Sequence, residues 1–158
     1  MSGPTYRRPT WSRVHLWDPL SRFLIRRGVA PGSASADGSG LRVLEVHGRK
    51  TGRAYQRPVA VAAVEGQRYV VSLWGDSHWA RNLRAGSRAR LQLGRRVEPV
   101  EAHELQDQDE KASVLLAISR QYPFFARGYF KVDPEQVTLE QASELAARYP
   151  VFRIEPAG

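Results

Sequence analysis

Between residues 41 and 104, apolar side chains come in short Val-, Leu- and Ala-rich runs divided by glycine- and charge-bearing breaks. Runs of this length between turn residues predict strands at 41–47, 55–64 and 68–73, with Glu65-Gly66-Gln67 as a hairpin turn. Residues 88–93 and 96–104 predict a second hairpin around Gly94-Arg95. Between the hairpins, residues 77–85 read as a short helix that Ser77 can cap. A longer helix follows Asp107 and Glu110, whose spacing is that of a capping box, and Ala112, Leu115, Leu116 and Ile118 form its apolar face. It stops near Tyr122-Pro123, because the residue before a proline is disfavoured in helix. Thr138 and Gln141 repeat the capping pattern before a helix ending at Tyr149-Pro150, and Val151–Ile154 is a last strand. Five or six antiparallel strands with a few helices predict an α+β barrel. A doubly wound fold needs regular strand–helix alternation, which the chain lacks.

The N-terminal stretch follows another pattern. Residues 1–17 have no clean period. Asp18-Pro19 then offers an N-cap and a first-turn proline, Leu20, Phe23 and Leu24 fall at helical spacing beside Arg22, Arg26 and Arg27, and Gly28 closes the helix. A short basic amphipathic helix of this kind suits docking on its own domain or peripheral contact with a membrane surface. Residues 31–40 are rich in Gly, Ser and Ala and read as a flexible linker. The expected division is therefore a basic arm over 1–40 and an ordered domain over 41–158.

Composition narrows the chemistry. The 158 residues are enough for one domain with a proper core. There is no cysteine, which excludes disulfides, thiolate metal sites and cysteine nucleophiles. No run approaches the ~18 apolar residues of a membrane span and no signal-peptide core opens the chain, so a cytoplasmic protein is expected. The formal charge is +8, and residues 1–53 hold ten Lys/Arg against three Asp/Glu. Such a basic segment suits nucleic acid, an anionic membrane face or an anionic cofactor.

The densest chemistry lies at residues 48–53, Gly-Arg-Lys-Thr-Gly-Arg, between two predicted strands. Glycines that allow positive φ let backbone N–H groups turn inward into an anion-binding nest, and Arg49, Lys50 and Arg53 add charge-assisted hydrogen bonds. A solvated hairpin turn has the same composition. His15, His47, His78 and His103 have no zinc-binding spacing, and no Gly-x-Ser-x-Gly, Gly-x-Gly-x-x-Gly or P-loop motif occurs. His47 and His78 flank stretches that could meet a ligand. An anion grip without an obvious acid, base or nucleophile favours chemistry carried by a bound organic cofactor.

Gly48-Arg49-Lys50-Thr51-Gly52, Pro58, the strand Tyr69-Val70-Val71-Ser72 and Trp79-Ala80-Arg81-Asn82-Leu83-Arg84-Ala85 together resemble the deazaflavin-dependent nitroreductase family. Pro150-Val151-Phe152-Arg153 is similar to that family's closing strand, and the match spans roughly residues 41–155. The resemblance implies a split β-barrel related to FMN-binding proteins, of about six antiparallel strands with flanking helices. It also implies coenzyme F420 as cofactor, with FMN, used by related barrels, as the alternative. The implied cofactor-binding residues are Arg49, Lys50, Thr51, Gly52, Arg53, Pro58, Trp74, Gly75, Trp79 and Asn82. Tyr122 and Tyr129 are the implied catalytic residues.

Three departures mark a less characterised, short-loop branch. The loop Trp74-Gly75-Asp76-Ser77-His78 is short. Tyr55 stands where a basic residue is frequent, leaving Arg53 or Arg57 to substitute. After Tyr122-Pro123, the family's further tyrosine positions carry Phe125 and Gly128, with Tyr129 adjacent. The expected activity is hydride transfer from reduced F420 to a small-molecule acceptor: a quinone, an enone or a nitroaromatic. A non-catalytic cofactor carrier and a basic nucleic-acid-binding module are the readings from other classes. Nucleic acid is not the expected partner, because cations and aromatics are not interleaved along one strand face. Related barrels are often dimers, which makes a homodimer the expectation by analogy.

Overall fold

The computed structural model describes residues 37–86 and 88–158. The predicted helix at 18–28 and the linker up to residue 36 lie outside the described residues. The last part of that linker is already attached to the folded domain: Ser39 is buried, and its N–H donates to Asp37 Oδ1 at 2.9 Å.

The strands are β1 (Gly40–His47), β2 (Ala54–Val64), β3 (Gln67–Val71), β4 (Arg88–Leu93), β5 (Arg96–Glu104) and β6 (Val151–Pro156). All pairings are antiparallel and the sheet closes into a barrel in the order β1-β2-β3-β6-β5-β4. The helices are α1 (His78–Ala85), α2 (Gln108–Gln121), the short α3 (Pro123–Phe125) and α4 (Leu139–Arg148). A π-helical turn over Ala126–Phe130 follows α3. The fold is thus the α+β split barrel of six antiparallel strands expected from the sequence.

Period-two alternation sorts the side chains into two apolar layers. Leu44, Val59, Val61, Val70, Leu91, Val100 and Phe152 fill the barrel interior, and Ala80 and Leu83 of α1 join them as a plug. Ala62, Val64, Tyr69 and Val71 point the other way and meet Leu115, Ile118, Ala142 and Leu145 of α2 and α4. Both long helices start where the caps predict. Asp107 Oδ1 accepts from the N–H groups of Asp109 and Glu110 at 2.8 and 2.9 Å, and Thr138 and Gln141 form a complete reciprocal box.

Strand β3 is shorter than expected. The predicted run reached residue 73, but pairing stops at Val71, because the Ser72 hydroxyl turns to Gly75 O and its N–H goes to Pro150 O. The chain leaves the sheet there and forms the loop that leads into α1. The π-turn at 126–130 had no sequence signal. It closes with Val132 N donating to Ala126 O at 2.9 Å and Lys131 in the left-handed region at φ 58°.

Candidate cofactor site

The β1–β2 turn is held by its own backbone. Gly48 N donates to Arg53 O at 2.7 Å, Gly52 N to Gly48 O at 2.9 Å, and Arg53 N to Thr51 Oγ1 at 3.3 Å. His47 Nδ1 lies 3.0 Å from Gly52 O, so this histidine buttresses the turn. Gly52 needs to be glycine, since its φ of +71° is one that other residues rarely adopt. Gly48 is required for a different reason: a Cβ there would come within 2.7 Å of the Tyr55 ring.

These bonds correct the expected nest. Four of the turn's N–H groups are used inside the protein, counting Arg49 N, which donates to Asn82 Oδ1 at 3.2 Å. Among the described residues, only Lys50 and Thr51 keep free turn amides. The donors that the turn keeps free are therefore chiefly those of its side chains.

Those side chains converge with α1 on an open cavity of about 340 Å³ at the barrel mouth. From the turn come Gly48, Arg49, Lys50 and Thr51; from β2, Tyr55 and Arg57; from α1, His78, Trp79 and Asn82. None is a carboxylate, and three are Arg or Lys, so the cavity attracts anions. Asn82 organises it: buried on α1, its Oδ1 also accepts from Arg49 Nη1 at 2.7 Å, fixing the guanidinium. Helix α1 is itself fixed by Ser77, whose Oγ accepts from Ala80 N at 3.3 Å and lies 2.9 Å from Ser72 Oγ. Trp79 lines the cavity and packs on Phe152, ring centroids 6.0 Å apart.

The sequence-derived residues therefore fall into two groups. Arg49, Lys50, Thr51, Trp79 and Asn82 share the cavity. Gly52 and Arg53 belong to the same turn but do not line it. Arg57, Tyr55 and His78 do line it, so of the two proposed substitutes for the missing basic residue, Arg57 is the one that faces the cavity. Tyr55 and Arg57 follow the turn at i and i+2 on the face that continues as Val59 and Val61. The strand period carried that signal.

Pro58 lies on the opposite face of β2, in line with Ala60. Ala60, Leu73, Tyr122 and Tyr129 pack around the outer apolar layer. Trp74, from the β3–α1 loop, meets the Tyr129 ring edge-on at 6.2 Å, and Phe124 meets the same ring in a T-shaped contact at 5.4 Å. Gly75 shapes this loop at φ +76°. The result is an aromatic shelf, with Trp74 and Phe124 largely exposed. Loop 72–77 leads from the shelf into α1 and the cavity.

The two tyrosines are not equivalent. The Tyr122 hydroxyl donates to Ala63 O at 3.2 Å and accepts from Ala63 N at 3.0 Å, so its proton is already committed to β2. The Tyr129 hydroxyl has no hydrogen bond among the described residues. Burial pushes its pKa above the ordinary phenol range, so it stays protonated at neutral pH.

Comparison with known proteins agrees with this architecture. A conserved hypothetical protein from Mycobacterium tuberculosis is 13% identical, with 100% of this chain and 87% of that one covered at a TM-score of 0.54. A putative 5-nitroimidazole antibiotic resistance protein from Bacteroides thetaiotaomicron is 12% identical, with 77% and 75% covered at 0.53. An F420-H2 dependent reductase, FDR-A, is 23% identical, with 73% and 93% covered at 0.47. No curated protein sequence matches the chain. At these identities the first two solved structures, with TM-scores above 0.5, show the class by fold alone, a split barrel.

The family model described as F420H(2)-dependent quinone reductase matches residues 21–139, three quarters of the sequence. The chain belongs to that family. Membership supports F420-dependent reduction and lends nothing to the FMN alternative. No helix among the described residues is long and apolar enough to cross a membrane.

Proposed function

We propose that the protein is an F420-dependent reductase that passes a hydride to an electron-poor small molecule, with quinones as the first candidates and nitroaromatics and enones as further ones. The observation that carries this reading is the carboxylate-free cationic cavity, with an exposed aromatic shelf on the loop that leads into its helix α1. Coenzyme F420 pairs a phosphate and glutamate carboxylates with a flat ring, so its two halves call for such surfaces. When bound in reduced form, it supplies a hydride from C5.

Arg49, Lys50 and Arg57 would hold the phosphate and carboxylates, with Thr51 supplying its free amide. Gly52 and Arg53 would act by holding the turn's shape. Trp79 offers an apolar cavity wall, while Trp74, with Gly75 bending its loop, and the Pro58 side of β2 offer flat surface for the ring and acceptor. A quinone that takes a hydride also needs one proton to become a quinol, and Tyr129, protonated and unbonded, is the side chain suited to give it. Tyr122 then has a supporting role in place of the catalytic one expected from the sequence.

The test is titration of the purified full chain with F420 and with FMN, followed by turnover with menadione. F420 should bind and support quinone reduction. Arg49→Ala combined with Lys50→Ala should weaken F420 by about 3 kcal/mol or more, as two charge-assisted bonds are lost. Unchanged affinity in that double variant would remove the cavity from the proposal.

A further inference from the structure

A second cavity, of about 360 Å³, opens where Asp76, Arg84 of α1, Glu104 of β5, Lys111 of α2 and Arg148 of α4 meet. It shares no residue with the barrel-mouth cavity. Its carboxylates are spoken for. Arg84 donates to Asp76 at 3.1 Å and to both oxygens of Glu104 at 2.6 and 3.3 Å, and Arg81 donates to Asp76 at 3.0 Å.

Lys111 is the exception. The residue is only 7% exposed, yet among the described residues its ammonium has no hydrogen bond and no ion pair within 4 Å. It occupies the buried stripe of α2, at helical spacing with Val114, Leu115 and Ile118, where the pattern calls for an apolar residue. Burial lowers its pKa first; Glu104 opposes that and Arg84 adds to it. An ammonium has three donors, and among the described residues nothing accepts from those of Lys111, which leaves them to solvent or a ligand in the cavity. Arg148 lies on the same cavity, exposed, and its guanidinium also has no partner among the described residues. Two cations without a hydrogen bond or close ion pair among the described residues therefore line a space whose acids are hydrogen-bonded to arginines.

We propose that this cavity is a binding site for a small oxyanion, a phosphate or carboxylate group held between the Lys111 ammonium and the Arg148 guanidinium. The inference is independent of the cofactor reading, because none of its residues touches the first cavity. An anion seated there would supply the acceptors that Lys111 lacks.

The experiment follows the Lys111 side-chain carbon resonance and the calorimetric heat while the full chain is titrated, without F420, with inorganic phosphate and separately with succinate. Sodium chloride of equal ionic strength serves as the control. Saturable binding is expected with at least one anion, and the stronger one identifies the ligand's chemistry. Lys111→Met should weaken that binding at least about tenfold, as loss of a charge-assisted bond implies. Arg148→Ala should weaken it too, and this exposed substitution carries the test should Lys111→Met not fold. Arg49→Ala with Lys50→Ala should leave the Lys111 response intact while F420 binding falls, so the two proposals fail separately. A Lys111 resonance that neither anion moves, or equal affinity in Lys111→Met, would overturn the site.

Discussion

The two ends of β2 are built on opposite terms. At its N-terminal end, Tyr55 and Arg57 look onto a cavity of cations, and the neighbouring Lys50 has no partner among the described residues. At its C-terminal end, Ala62 and Val64 are buried, and Ala63 exchanges two hydrogen bonds with one tyrosine from across the helical layer. About six residues, roughly 20 Å of extended chain, separate Arg57 from Ala63. The turn at the rim thus keeps one cation, Lys50, unspent, while at the base of the strand polar capacity is consumed. Unspent donors at the rim cost little because water serves them until a ligand arrives. At the base, the same omission would be paid in stability.

Substitutions at the two ends should therefore separate stability from cofactor binding. The largest effect belongs to the base. Leu115→Ala empties a fully buried position in the helical layer and should cost about 2–5 kcal/mol in urea unfolding. F420 affinity of the protein that remains folded should hold. If affinity fell in step with stability, the contrast between the ends would be false. Tyr122→Phe comes next: it strips both bonds from Ala63 and should cost about 1–3 kcal/mol. Quinone turnover in cold, fully folded enzyme should stay near wild type, and a large loss would return Tyr122 to the catalytic role.

Smaller effects refine the picture. Thr138→Ala breaks the capping box of α4 and should cost about 1 kcal/mol, read as a lowered denaturation midpoint with unaltered F420 binding. The smallest is a pH effect. Arg68 donates to Glu98 at 2.8 and 2.7 Å, and chiefly through those bonds holds the Glu98 carboxyl below its ordinary pKa. A lowered folded-state pKa means the stabilisation is complete above the unfolded value of about 4.3 and fades as pH falls through the folded value. Arg68→Met should flatten the acid limb of the stability profile below that point and leave the neutral limb's slope unchanged.

What the sequence revealed follows the range of the forces involved. Caps act within four residues, so Asp107, Thr138 and Gln141 were legible, and so was the Gly94-Arg95 hairpin. The end of β3 was not, because Ser72 is diverted by Pro150 from the far end of the chain. The cationic turn was legible as composition, but its amide bonding depended on Asn82, 33 positions away. Resemblance named Pro58 but not Tyr55 or Arg57 among the cofactor-binding residues; alternation along β2, which puts Pro58 on one face, could have brought in Tyr55 and Arg57 on the other. The Tyr122–Ala63 pair spans 59 positions and had no local trace at all.

Closure of the sheet has a consequence for association. Among the described residues every strand has a hydrogen-bonded neighbour on both sides, so a second chain could add a strand only along stretches that outrun a neighbour, such as 54–60 of β2, which β3 does not pair. Two copies that meet away from that stretch would do so through side chains, and Trp74 and Phe124 are exposed apolar surface to offer. Self-association and acceptor entry would then compete for the same aromatic ground.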